Sequence, residues 1–196
     1  RKSGPKRVSP FMVPMMLPDT AAGQVAISFG ARGPNLCVTS ACASSTNALG
    51  EAAEIIRRGS ADMIIAGGAE AAITPVTIAA FANMGALSSR NDDPTSACRP
   101  FDRDRDGFVA GEGAAILLLE SEQHAIERGA RIYAEIAGYG LSNDAYHITA
   151  PASDAASAII CMQLAIRSSN LQPVDIDYIN AHGTSTPLND KTETLA

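Results

Sequence analysis

Positive charge is scarce in this sequence: fifteen Lys and Arg face twenty-one Asp and Glu, a net charge of −6. Phosphate binding wants clustered positive charge, so no nucleic acid is expected as a partner. The one dense basic run is Arg1, Lys2, Lys6 and Arg7. It reads as a solvated terminus or as a docking patch for an acidic partner. Long apolar runs are missing too. The longest uncharged stretch, 71–87, is interrupted by Thr74, Pro75, Thr77 and Asn83. It falls short of the ~20 residues a spanning helix needs, so no membrane span is expected. The basic start leads into prolines and not into an apolar run, which argues against a signal peptide. Cysteine is sparse: Cys37, Cys42, Cys98 and Cys161 form no Cys-x-x-Cys pair, and no histidine stands at a metal spacing from them. Neither a disulfide framework nor a metal site is expected, and the default is reduced thiols in a cytoplasmic protein. A buried cysteine usually acts as a small hydrophobe, so each is core unless its setting says otherwise.

What is present suffices for a core. Apolar residues make up 46% of 196 residues, which excludes disorder and fits one domain or one and a half. The chain opens on Arg1 and closes on a helical pattern without a stop signal, so a fragment of a longer protein is expected. Helices are expected over 20–29, ending at Gly30, over 43–58, over 77–83, up to Arg128 with Gly129 as the stop, and over 151–168. Strands are expected over 35–39, over 62–66 ending in Gly67-Gly68, and over 114–120, 132–139 and 177–181. Residues 88–107 read as a polar loop. Strands alternating with helices predict an α/β layered fold with a mainly buried sheet, and a change of unit near 127–131.

Two segments could carry chemistry. In Thr39-Ser40-Ala41-Cys42-Ala43-Ser44-Ser45 a strand ends, small residues turn the chain and a helix begins. Helix N-termini carry unpaired N–H groups and roughly half a positive charge, which favours thiolate over thiol and can steady an oxyanion. Cys42 is therefore the candidate nucleophile, while Cys37 keeps the core reading. In Asn180-Ala181-His182-Gly183-Thr184-Ser185-Thr186-Pro187 a strand end delivers His182, glycine leaves room for a ligand, and hydroxyls line the turn. An imidazole there can donate to a developing enolate; the alternative is a buried structural histidine. His124 reads as solvated, and His147 could be either.

Two look-alikes fail. Residues 102–107 imitate the opening of a calcium loop, but position twelve is Gly113, the acid Glu112 falls one residue early, and Arg103 and Arg105 dilute the charge. The Cys42–His182 separation, with Asn180 beside it, suits a thiol protease. However, that signature needs a cysteine and an aromatic where Thr39 and Ala43 stand.

The sequence resembles the β-ketoacyl-acyl carrier protein synthases, most closely the elongating synthase II type. The matching stretches include 4–14, the cysteine turn, Ala66-Gly67-Gly68-Ala69-Glu70, 87–92, 99–113, 142–149 and His182-Gly-Thr-Ser-Thr-Pro187. The resemblance implies a partial thiolase-like αβαβα fold, with residues 1–128 from the first half and 129–196 opening the second. It also implies a homodimer and a decarboxylative Claisen condensation. Cys42 would accept the acyl group, and His182 would hold the malonyl thioester oxygen. No cofactor would be bound, since substrates ride on the phosphopantetheine of acyl carrier protein. Asp190 and Glu193 match supporting acids, Glu193 through a lysine with no match within the chain. Thr149, Thr184 and Thr186 match phosphopantetheine contacts. Phe81 matches the acyl pocket, Phe11 and Met12 its end near the partner subunit, and 35–39 the strand across the two-fold. Lys6 and Arg7 match carrier docking residues, although Gly85 replaces another basic docking position. A second histidine and a gating loop also have no match, so the chain alone is expected to be inactive. The alternatives are a polyketide ketosynthase domain and a non-catalytic chain-length partner. Cys42 argues against the partner, and Ser185 against a modular polyketide domain.

Overall fold

The structure, a computed structural model, describes residues 4–196. Arg1 and Lys2 of the basic run lie outside them. The described part of the chain forms two compact units that interleave in sequence. One holds the residues up to Gly68 together with Ile116–Arg131; the other holds Ala69–Ala115 and Ile132–Ala196.

The first unit opens with a 3-10 turn at Pro5–Arg7 and continues through α1 (Met12–Met16), α2 (Thr20–Phe29) and α3 (Ser44–Arg57). Gly30 ends α2 as expected, taking φ 65°, where a β-carbon would clash with the carbonyl. Helix α3 buries Asn47, Gly50, Ala52, Ala53 and Ile55, which at 3.6 residues per turn are distributed around the helix. Its final Arg57 lies at the negative end of the helix. Strand β1 (Met63–Glu70) runs straight through Gly67 and Gly68, where the sequence reading ended it. Strand β2 (Gly113–Glu120) pairs with it. The Ser121 N–H donates to the Asp62 carbonyl at 3.0 Å, joining the start of β1 to the end of β2, so the two run antiparallel. Helix α5 (Glu122–Glu127) follows, capped by the Ser121 hydroxyl, and buries Ala125.

The second unit contains α4 (Pro75–Asn83), α6 (Ala156–Ser169) and α7 (Pro187–Leu195). Thr74 and Thr186 cap α4 and α7 through their hydroxyls, each followed by proline at the first helical position. The long polar loop is pinned at its base by a parallel bridge between Leu87 and Phe108. The segment after Ile132 lies along α6: the Tyr139 N–H donates to Ser168 Oγ at 2.7 Å, and Cys161 Sγ donates to the Gly140 carbonyl at 3.3 Å.

Several expectations are corrected. Residues 35–39, 132–139 and 177–181 are irregular and not strands. Strand character comes from a partner ladder elsewhere in the chain, which local composition does not encode. Helix α6 starts at Ala156 and not at Pro151, because Asp144 takes the Ala152 N–H at 2.8 Å and Ala155 turns left-handed at φ 56°. Strand β2 is not buried: Ile116, Leu117 and Leu118 are all about half exposed, at 54, 51 and 53%. Successive residues point to opposite faces, so both faces stand open. Cys37 is exposed rather than core, as are Cys42 and Cys98, while Cys161 is half-buried.

Candidate active site

Cys42 sits in a 3-10 turn, Ala41–Ala43, that leads directly into α3. It is exposed. The turn is held by short polar side chains that the helix itself supplies. The Ser40 N–H donates to Ser44 Oγ at 2.8 Å, and that hydroxyl donates on to the Ala41 carbonyl at 2.7 Å. Buried Asn47 donates from Nδ2 to Ser40 Oγ at 2.8 Å. These bonds hold Ala41 at φ 50°, a left-handed conformation that costs a non-glycine residue roughly 1–2 kcal/mol. Such a sharp corner between an extended segment and a helix thrusts the next side chain outward, as in strand–turn–helix nucleophile sites. N–H groups at the head of such a run have no carbonyl one turn earlier and can meet an oxyanion.

Behind the turn, β1 approaches α3 closely. A β-carbon on Gly68 would overlap Ser45 Oγ and lie 2.8 Å from Ser45 Cβ. Gly68 is thus the only residue type that lets α3 sit at this depth on β1. Elsewhere in this unit, Lys6 and Arg7 are exposed on their 3-10 turn. Phe11 and Met12, at the start of α1, are 70 and 49% exposed. Glu120 forms a separate surface cluster. Arg128 holds its carboxylate first and His124 second, the latter at 3.0 Å, and together they depress its pKa to about 2. His124 thus holds Glu120 by a hydrogen bond and is not merely solvated.

In the second unit His182 is exposed, and its backbone is fixed from α7. The Glu193 carboxylate takes the His182 N–H at 2.5 Å and the Gly183 N–H at 2.8 Å, and also accepts from Asn189 Nδ2 at 3.0 Å. Gly183 is left-handed at φ 50°, and a β-carbon there would press on the Phe101 ring and Pro100 at 3.4 Å. Thr184 Oγ1 and Thr186 Oγ1 share a hydrogen bond at 2.8 Å. Ser185 is wholly buried and left-handed at φ 66°. Its hydroxyl accepts the Arg99 N–H at 3.0 Å.

Asp190, 1% exposed, accepts the Phe101 N–H at 2.7 Å and lies 3.4 Å from Arg105 Nε. An open cleft of about 390 Å³ lies beside this pair, lined by Phe101, Arg105, Asp190, Lys191, Thr194 and Leu195. His182, Thr184, Thr186, Asp190 and Glu193 therefore form one cluster. Thr149 stands in another turn, its N–H donating to His147 Nδ1 at 3.2 Å. Phe81 packs edge-on against Phe108 with ring centroids 5.1 Å apart.

The calcium look-alike is occupied by protein donors. Asp102 is held by Arg99 and the Asp104 N–H, and Asp106 by Ser88 and Ser89; in both, these contacts lower the carboxyl pKa. Among the described residues no group of three or more potential ligands could hold a metal ion. No helix among them is long and apolar enough to cross a membrane. Sequence reasoning missed Ser40, Ser44, Asn47, Arg105 and the structural weight of Ser185. The hydroxyl-rich cysteine turn was a usable signal for the first three. Arg105 had none, since its partners lie 81 and 82 residues away.

Two family models match the chain: "Beta-ketoacyl synthase, N-terminal domain" over residues 1–125, and "Beta-ketoacyl synthase, C-terminal domain" over residues 133–196. The 3-oxoacyl-[acyl-carrier-protein] synthase 2 of Synechocystis sp. is 55% identical over 98% of this chain and 46% of its own length. The protein of the same name from Staphylococcus aureus is also 55% identical, over 98% of this chain and 48% of its own. Among solved structures, a type II PKS ketosynthase bound to the hexaketide, in complex with its acyl-carrier protein, superposes with a TM-score of 0.93 at 40% identity. The match covers 97% of this chain and 47% of that one. A β-ketoacyl synthase from Burkholderia phymatum gives 0.91 at 40% identity, covering 98% and 47%. The chain spans about half the length of the relatives it matches. The fold is thus a partial α/β arrangement of the thiolase-like ketosynthase kind.

Proposed function

The chain belongs to the β-ketoacyl synthase family, and from that premise we propose that the complete gene product elongates acyl chains by decarboxylative condensation. The substrates are an acyl group and a malonyl group, each carried as a thioester on the phosphopantetheine of acyl carrier protein. The product is a 3-oxoacyl carrier protein of fatty acid synthesis. One observation carries the reading: an exposed thiol, Cys42, stands on a strained corner at the head of α3.

The Cys42 sulfur attacks the acyl thioester carbonyl. A new S–C bond forms, the old one breaks, and the carrier thiol leaves with a proton. Malonyl carrier protein then loses carbon dioxide, and the electrons of the broken C–C bond flow to the thioester oxygen. His182, its backbone anchored by Glu193, donates a hydrogen bond to that oxygen. The resulting carbanion attacks the Cys42 thioester, and the thiolate is expelled as the product forms.

Asp190 and Glu193 support His182 in this scheme. Thr149, Thr184 and Thr186 contact the phosphopantetheine arm, and Phe81 lines the acyl pocket. Phe11 and Met12 close the pocket end at the subunit boundary of a homodimer. Exposed Lys6 and Arg7 receive the acidic carrier, so docking weakens as salt rises. No cofactor takes part, the protein works in the cytoplasm, and its two catalytic halves join between residues 128 and 129. A polyketide role is the second reading, favoured by the fit to the type II PKS ketosynthase. The higher identity to 3-oxoacyl carrier protein synthases favours the first.

The test is transfer of a radiolabelled acyl group from carrier protein to the complete gene product. Wild type retains label on Cys42 and Cys42→Ala does not. Equal labelling of the two would remove Cys42 as the nucleophile.

A further inference from the structure

The Arg105 guanidinium is three-quarters or more covered, and its donors meet four acceptors around one point of the chain. Nε donates to the Thr186 carbonyl at 3.0 Å and lies 3.4 Å from the Asp190 carboxylate. Nη1 donates to the Asp102 carbonyl at 2.8 Å, and Nη2 to the Pro187 carbonyl at 2.8 Å. Thr186 and Pro187 are the cap and first residue of α7, and Asp190 lies in its first turn. One turn further on, Glu193 grips the His182 and Gly183 N–H groups. Ser185 adds two ties to the same loop as Arg105: its hydroxyl takes the Arg99 N–H, and its carbonyl takes the Gly107 N–H at 3.1 Å. The loop at 99–107 therefore brackets the turn that carries His182.

We propose that Arg105 is a positioning residue: it locks the start of α7 and, through Glu193, sets where the His182 ring stands. The assignment rests on the condensing function proposed above. The geometry asks for arginine in particular. A planar fork satisfies separate carbonyls and a carboxylate at once, whereas a lysine ammonium offers one compact charge. Arg105→Lys keeps the charge opposite Asp190 and loses the bracket. A turn loosened by about 1 Å can cost a reaction up to 100-fold without weakening substrate binding.

The experiment measures two partial reactions of the complete gene product: acyl transfer onto Cys42, and carbon dioxide release from malonyl carrier protein. For Arg105→Lys we expect decarboxylation kcat to fall about 10- to 100-fold, with KM and the acyl transfer rate within about 2-fold of wild type. If Arg105 acts through Glu193, the double variant Arg105→Lys/Glu193→Gln is no slower than the slower single variant. Wild-type decarboxylation in Arg105→Lys overturns the proposal. So does an equal fall in both partial reactions, or an effect on KM alone. If Arg105→Lys does not fold, Asp190→Asn is judged by the same criteria, since it removes the ion pair but keeps an acceptor for the Phe101 N–H. Failure of both variants to fold makes the bracket a stability element and also overturns the proposal. A folded wild type that performs neither partial reaction refutes the functional reading itself, a separate outcome.

Discussion

Replacing Gly68 by alanine should displace the nucleophile without touching it. The new methyl would overlap Ser45 Oγ and lie 2.8 Å from Ser45 Cβ. Carbon atoms pack at about 3.5–4.0 Å, so one side must yield by about 1 Å. Rotating the Ser45 hydroxyl does not solve this, because Ser45 Cβ is fixed to the backbone of α3. The strain therefore moves either β1 or the first turn of the helix, three residues from Cys42. Overpacking of this kind costs about 1–3 kcal/mol. A 1 Å shift at a reacting atom can slow the reaction up to about 100-fold. We expect Gly68→Ala to lower the melting temperature and to slow acyl transfer onto Cys42 by about 10- to 100-fold. The double variant Gly68→Ala/Ser45→Gly removes both clashing atoms of Ser45. It should recover most of both losses, less the ~0.5 kcal/mol by which glycine trails serine in a helix. The assays are thermal denaturation and single-turnover acylation of the complete gene product. Near-wild-type behaviour of Gly68→Ala, or no rescue in the double variant, would falsify the claim that this contact seats the cysteine turn.

Two further predictions concern stability. Ser185→Ala leaves the Arg99 N–H without its acceptor, at a cost of about 1–3 kcal/mol. Ser185→Gly loses the same bond but relieves the left-handed backbone, so denaturant titration should find it more stable than the alanine variant by about 1 kcal/mol; the reverse order contradicts the reasoning. The Glu120 carboxyl is held at about 2 in the folded chain, against an ordinary value of 4.5. Between those limits the unfolded chain binds more protons, so this contribution is complete above pH 4.5 and is lost as pH falls toward 2. Arg128→Ala should raise the Glu120 pKa and flatten that part of the stability–pH curve. A carboxyl titration by NMR that stays near pH 2 in the variant would show that Arg128 is not the cause.

Most of the helices were legible because their signals are local, although α1 was not expected and α6 starts later than expected. A left-handed Gly30, the capping Thr186 and the apolar spacing of α3 all act within a few residues of chain. The turns that carry Cys42 and His182 were legible as sharp turns leading into helices for the same reason. Three strands were misread because pairing depends on partners that lie elsewhere in sequence. The expected burial of β2 failed for a related reason: burial belongs to the layers packed on a strand and not to the strand. The role of Arg105 was hidden by a separation of 81 residues, and the alternating Asp and Arg around it looked like a diluted cation loop. Cys37 shows how weak a general preference is, since an apolar neighbourhood in sequence did not bury it.

The proposed condensation divides the labour: residue 42 accepts the acyl group and residue 182 enables loss of carbon dioxide. The most direct measurement is both partial reactions of His182→Ala in the complete gene product. We expect acyl transfer onto Cys42 within about 3-fold of wild type, and malonyl decarboxylation lowered by at least about 100-fold, the scale of losing one oxyanion donor. Lost acylation with intact decarboxylation would contradict it.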